Sequence, residues 1–185
     1  NITRGPMRQI DNKIFLYSII LLFFIGHLVY LNTPFVNLEW VYKIGSYYFM
    51  NSDKAYLDIY LSEQTNPITY SFLSSLMTSI FEYSFFSYRI LALTGGIIIL
   101  ICMAKYNDPF LLLIIGLNPL IWVYSGRAYS ELLSAGLLVL AIELSNNRNY
   151  SRGVIAGVAA SIKYHTILFS GPYWGLKWLE SYFYK

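Results

Sequence analysis

Residues 14–31, IFLYSIILLFFIGHLVYL, carry no charged side chain. A helix of that length rises ~27 Å, close to the ~30 Å hydrocarbon layer of a bilayer. Lipid offers no partner to backbone N–H and C=O groups, so a stretch buried in it must bond to itself, which a helix does. Working outward, further apolar runs occupy 89–104, 109–125, 130–144 and 153–170, and most acidic and basic residues fall between them. The expectation is an all-α integral membrane protein, a single module over residues 1–185 with about five transmembrane helices.

Composition agrees. Hydrophobic residues make up 56% of the chain and charged residues 12%, about half the charged share of an average soluble domain. A net charge of +3 without a basic stripe gives nucleic acid no footing. The single cysteine, Cys102, lies inside an apolar run and reads as a packing residue, with neither a disulfide framework nor a zinc site. Arg4, Arg8 and Lys13 precede a first run too long for a signal-peptide core and without a small-residue cleavage site, so it reads as a retained anchor. The chain stops in an aromatic stretch, WGLKWLESYFYK, and reads as an N-terminal fragment of something longer.

Orientation follows from the basic residues. By the positive-inside rule Arg4, Arg8 and Lys13 stay cytoplasmic, which sends residues 32–88 to the other face. Within that outer loop, 67–86 has apolar residues Ile68, Phe72, Leu73, Leu76, Met77, Ile80 and Phe81 at helical spacing on one face. Ser71, Ser74, Ser75, Thr78 and Glu82 occupy the other, the pattern of a helix lying in the interface. If it lies flat, Lys105, Arg148 and Arg152 join the cytoplasmic side; if it spans, they move outside, against the rule. The flat arrangement is favoured, and it gathers Glu39, Asp53, Asp58, Glu63, Arg89, Arg127 and Glu131 on the outer face. The sequons at Asn1 and Asn149 read as chance.

Several polar residues are candidates for chemistry. Glu39 follows the first span beside Trp40 and Tyr42, at a depth that can tune a carboxylate as a general base; the plain alternative is a solvated interface residue. Arg127 and Glu131 stand four apart in YSGRAYSE and would share a helical face. An arginine at a membrane mouth suits a lipid phosphate, which its planar fork binds through two oxygens, although such pairs are also structural. Lys163 and His165, in AASIKYHTILF, are the polar pair of the final run, where lysine must pair, snorkel or line a wet cavity. His27 can serve as a simple interhelical hydrogen-bonding residue. Gly95–Gly96 and the GxxxG of Gly153 and Gly157 read as helix-packing positions. No cofactor is called for, and Glu39 with Asp58 is the one pair able to share a divalent cation.

In order along the chain come NLEWVY after the first span, NPITYSFLSSL, YRILALTGGI, NPLIWVYSGRAYSE and GVIAGVAASIKYHTILF. From Ile14 to Phe169 this order resembles the N-terminal part of GT-C class membrane glycosyltransferases, notably the protein O-mannosyltransferase and lipid A aminoarabinose transferase group. YSE is also similar to the glycosylphosphatidylinositol mannosyltransferases of that class. The resemblance implies a polyprenyl- or dolichyl-phosphate sugar donor, with mannose the expected sugar, and a protein, glycan or lipid acceptor. Transfer would occur with inversion on the extracytoplasmic or lumenal face of a prokaryotic plasma membrane or the endoplasmic reticulum. It assigns the catalytic base to Glu39, with Asp58 in reserve, and lipid-phosphate contacts to Arg127, Lys163 and Arg89. Trp40, Tyr42, Glu131 and His165 would contact substrate, and Tyr47 and Tyr48 could stack on sugar. Two positions depart from the family: Leu38 stands where it has an aspartate, and Asn66 where a basic residue or histidine precedes proline. A non-catalytic membrane subunit is the competing reading, and a transporter fragment using Lys163 and His165 is a third.

Overall fold

Pro119 divides what the sequence suggests is one helix. A proline has no N–H to donate and pushes the preceding residue out of the helical region, and Asn118 is extended at ψ 120°. In the computed structural model, which describes residues 6–31, 33–35, 39–52, 54, 58, 68–82, 84–144, 149–168, 171, 172 and 175, the run 109–125 is therefore two short helices. Asn118 caps the second by accepting from Leu120 N at 2.9 Å. The Gly116 carbonyl, left without its helical partner, accepts from the Trp122 indole N–H.

Every described element is helical. In chain order these are α1 Pro6–Leu31, α2 Glu39–Asn51, α3 Thr69–Phe81, α4 Phe85–Ala104, α5 Pro109–Gly116, α6 Pro119–Ser125, α7 Ser130–Glu143 and α8 Asn149–Ile162. Among the described residues two helices, not five, are long and apolar enough to cross a membrane: Lys13–Leu31 and Phe85–Ala104. α7 and α8, at 14 residues each, rise only ~21 Å.

α4 is the centre. It packs against α1, α3, α5, α6 and α7, while α2 lies on α3 and α8 on α7. Leu93, Leu100 and Leu112 are buried with Leu16, Phe23 and Leu31 of α1. Cys102 is buried in α4 as well. The closest approach is at glycine: a Cβ on Gly95 of α4 would overlap the Leu132 carbonyl of α7, and one on Gly136 would stand 2.5 Å from the Gly95 carbonyl oxygen. Gly96 is equally crowded, by Ser125 and Phe23. Gly153 and Gly157 are not packing positions among the described residues, since nothing lies within 4 Å of a Cβ built on either.

Three boundaries correct the sequence reading. α4 begins at Phe85, where Ser84 accepts from Ser87 N, so Arg89 lies inside the helix instead of opening it. α8 begins at Asn149 and ends at Ile162, which moves Lys163 and His165 out of a span and into a turn. The segment 67–86 breaks at Glu82, whose φ of 61° ends α3. α3 is also turned differently from an interfacial helix. Ser71, Ser74, Ser75 and Thr78 are buried against protein, while Phe72, Leu76, Ile80 and Phe81 face outward. Leu38, Asp53, Glu63, Asn66 and Pro67 lie outside the described residues.

The two kinds of glycine should respond with opposite sign. Gly136→Ala forces α7 from α4 and should cost about 1–3 kcal/mol, whereas Gly153→Ala, in open helix, should gain about 0.5–1 kcal/mol. Chemical unfolding measures both. Equal shifts would mean that the α4–α7 contact is not as tight as described.

Candidate functional site

The C-terminus of α1 leaves carbonyls without helical donors, and a buried arginine collects them. Arg89 Nη1 donates to Tyr30 O at 2.8 Å, Leu31 O at 3.2 Å and Thr33 O at 2.6 Å, and Nη2 donates to Pro34 O at 3.0 Å. The rest of the guanidinium forks onto Glu39, with Nε to Oε1 at 2.8 Å and Nη2 to Oε2 at 2.9 Å. Both side chains have no exposed surface. Phe35 and Phe85 place their rings 5.6 and 5.8 Å from the guanidinium carbon, where a ring face attracts a cation.

Glu39 has further partners. As the first residue of α2 it also benefits from the positive end of that helix. Its Oε1 accepts from Ala128 N at 2.7 Å, and Arg127 Nη1 stands 3.6 Å from Oε2. That Arg127 nitrogen is buried and has no hydrogen-bond partner among the described residues. One carboxylate thus faces two guanidinium groups, and the excess positive charge falls on Arg127, whose side chain is 30% exposed.

Arg127 lines a cleft of about 200 Å³ with Tyr30, Trp122, Val123 and Gly126, mostly apolar in its walls. Beneath it His27 is buried, with Nδ1 2.6 Å from Phe23 O and Nε2 3.0 Å from Trp122 O. The ring packs 4.2 Å from Phe23 and 4.5 Å from Trp122. His27 therefore joins α1 to α6, the interhelical role expected of it. On the other side of the Arg89–Glu39 pair, Tyr42 meets Ser130 Oγ at 2.9 Å, and Tyr70 donates to Tyr88 O at 3.1 Å. Burial first, then the neighbouring Tyr42, Glu39 and Glu131, push the Tyr70 phenol well above its ordinary value, so it remains a neutral donor.

Glu39, Arg89 and Arg127 are brought together. The Arg127–Glu131 pairing at helical spacing is not formed, because residues 126–128 are a turn and α7 starts only at Ser130. Glu131 pairs instead with Lys163 Nζ at 2.8 Å. Tyr42 is 2% exposed, which takes it out of reach of a sugar, while Trp40 is exposed beside Lys43, 4.7 Å from its ring. Tyr47 and Tyr48 are half-buried. His165 is exposed, its ring 4.0 Å from that of Tyr164. Asp58 is exposed. Glu39 is sealed from solvent and its oxygens are taken by Arg89 and Ala128. It therefore holds structure together in this conformation and is not set to receive a proton from an acceptor or to share a cation with Asp58. The sequence reading missed Tyr30, Trp122 and the Ala128 amide. Of these, only Trp122, the aromatic within NPLIWVYSGR, leaves a trace in the sequence.

No family model matches the chain, and no curated protein or solved structure matches it.

Breaking one side of a buried, fully bonded ion pair costs about 3–5 kcal/mol. Glu39→Gln and Arg89→Lys should each destabilise by that amount, because lysine reproduces neither the fork nor the reach to four carbonyls. Lys105→Ala, at a half-exposed ion pair, should change stability by less than ~1 kcal/mol. Thermal unfolding reads all three, and an Arg89→Lys protein as stable as wild type would remove the Arg89–Glu39 pair from its structural role.

Proposed function

We propose that the chain is an integral membrane protein that takes a polyprenyl- or dolichyl-phosphate sugar, mannose being the expected sugar, and passes the sugar to an acceptor hydroxyl as a GT-C type glycosyltransferase. The membrane reading is supported by an inverted distribution of polarity. Val29, Leu22, Phe110 and Leu120 are 65–76% exposed, whereas His27, Glu39 and Arg89 are 0% exposed. Water does not tolerate a surface so broadly apolar on a monomer, and lipid does. In this reading α1 and α4 cross, with the N-terminus cytoplasmic and the Arg127 end at the extracytoplasmic or lumenal face.

The cleft at Arg127 is the observation that carries the transferase reading. Its apolar walls suit the first isoprene units of a lipid tail, and its one charged lining residue suits the phosphate. Both ends of the ligand are thus recognised by chemistry already in position. In transfer, the acceptor oxygen bonds to the anomeric carbon as the carbon–oxygen bond to phosphate breaks, inverting that carbon. The electron pair leaves with the lipid phosphate, whose growing charge Arg127 stabilises. The acceptor proton goes to a carboxylate. With Glu39 committed to Arg89, that role passes to the exposed Asp58. Lys163, paired with Glu131, and the exposed Trp40 and His165 remain available to acceptor or sugar.

The sealed Glu39 also favours a second reading, a non-catalytic membrane subunit that binds the same lipid phosphate. Full-length protein in liposomes, given radiolabelled polyprenyl-phosphate mannose and membrane acceptors, separates the two. Arg127→Gln should weaken lipid binding about tenfold or more, as loss of a charged hydrogen bond does, and Asp58→Asn should keep binding and lose transfer. Binding without transfer by wild type would select the subunit. Binding unaffected by Arg127→Gln would take the phosphate away from this cleft.

A further inference from the structure

A second, larger cleft lies at the far end of α1 and α4. The two helices are antiparallel, since Arg89 near the start of α4 grips the end of α1. Lys13 on α1 and Lys105, directly after α4, therefore share the opposite end. Between them is a cleft of about 460 Å³, walled by Leu16 and Tyr17 of α1 and by Ile101 and Ala104 of α4. On α1 this cleft runs from Lys13 to Ile20 and the other is lined by Tyr30, so Lys13 at its outer end stands ~26 Å of helix rise from Tyr30, close to the thickness of a hydrocarbon layer. The volume lies within the ~300–1,000 Å³ typical of small-molecule sites.

The charges around the cleft are poorly balanced. Lys13 is exposed and, among the described residues, makes no ion pair. Lys105 is 53% exposed, and its nearest carboxylate, Glu143, is 3.9 Å away and already accepts from Tyr106 at 2.6 Å. Asp108, the next acid in the chain, is engaged in capping α5 through Phe110 N and Leu111 N. Two lysines thus converge on a space with mostly apolar walls, and no carboxylate lines it among the described residues.

We propose that this cleft binds an anionic phospholipid of the leaflet opposite Arg127, with the phosphate between Lys13 and Lys105 and the acyl chains along α1 and α4. The inference rests on the membrane reading given above and is independent of sugar transfer. A zwitterionic headgroup fits less well, since its cation would face two lysines. Basic pockets between membrane helices at the cytoplasmic face hold acidic headgroups by the same chemistry.

The test is the selectivity of full-length protein for spin-labelled phosphatidylglycerol over spin-labelled phosphatidylcholine in phosphatidylcholine liposomes. Wild type should restrict the acidic probe preferentially, with about fivefold of the preference lost for each lysine removed. Lys13→Gln with Lys105→Gln should abolish the preference, and Lys13→Arg with Lys105→Arg should retain it. Equal restriction of both probes by wild type, or a preference that survives the double glutamine variant, overturns the proposal while leaving the membrane reading standing. Restriction of neither probe overturns both. A preference abolished by millimolar inorganic phosphate, but not by chloride of equal ionic strength, would make the cleft a soluble-anion site and overturn the lipid assignment.

Discussion

The guanidinium of Arg89 is the point on which four separate pieces of chain depend. It closes the C-terminus of α1, holds the following turn through Thr33 and Pro34, fixes the start of α2 through Glu39, and lies within α4 itself. Through Glu39 it also reaches Ala128 and so the turn between α6 and α7. An unpaired charge buried at that depth would cost several kcal/mol. The cost is met because nearly every hydrogen-bonding group at this centre has a partner, and the aromatic rings of Phe35 and Phe85 enclose what remains. Removing one partner therefore does not loosen one contact. It leaves several helix ends unsatisfied together.

Around this centre the helices follow a single constraint, that polar atoms go inward. Helix α3 shows it: Ser71, Ser74, Ser75 and Thr78 are buried, and Phe72, Leu76, Ile80 and Phe81 face out. Small residues let helices approach without a large side chain between them, as at Gly95 and Gly136. In the membrane setting proposed above, such contacts would draw on dispersion and close backbone approach, since apolar side chains gain little by leaving one apolar medium for another. The Trp122–Gly116 bond belongs to the same economy, returning a partner to a carbonyl that the Asn118–Pro119 break deprives.

Much of the helical architecture was legible in the sequence, because charge-free runs and helical spacing are local signals. Ile14–Leu31 and the run ending at Ala104 could be read directly. Caps and breaks were harder: Ser84 extends α4 back past Arg89, Pro119 divides 109–125, and Ile162 ends α8 before Lys163. The hydroxyl stripe of α3 was visible as a stripe, but periodicity does not say whether a polar face meets water or protein. The site was legible in part. Residue type and order singled out Glu39, Arg89 and Arg127, yet not that Arg89 would occupy Glu39 fully. The carbonyls of Tyr30, Leu31, Thr33 and Pro34 and the Ala128 amide are invisible to any reading of side chains. The Lys163–Glu131 pair joins residues 32 apart, a distance at which spacing rules have no force.

The wide separation of Glu39 from its partner sets an order of events during synthesis. Arg89 follows Glu39 by 50 residues, and the Ala128 amide follows it by 89. At ~5–20 residues per second, the carboxylate waits about 3–10 s for its guanidinium and longer for the amide. Through that interval the Leu31 carbonyl lacks its Arg89 donor and Glu39, at the head of α2, lacks its counter-charge. Arrival of α4 neutralises the charge and closes the carbonyls in one step. On the membrane reading proposed above, burial of the first quarter of the chain is thereby tied to synthesis of the helix that completes the ion pair.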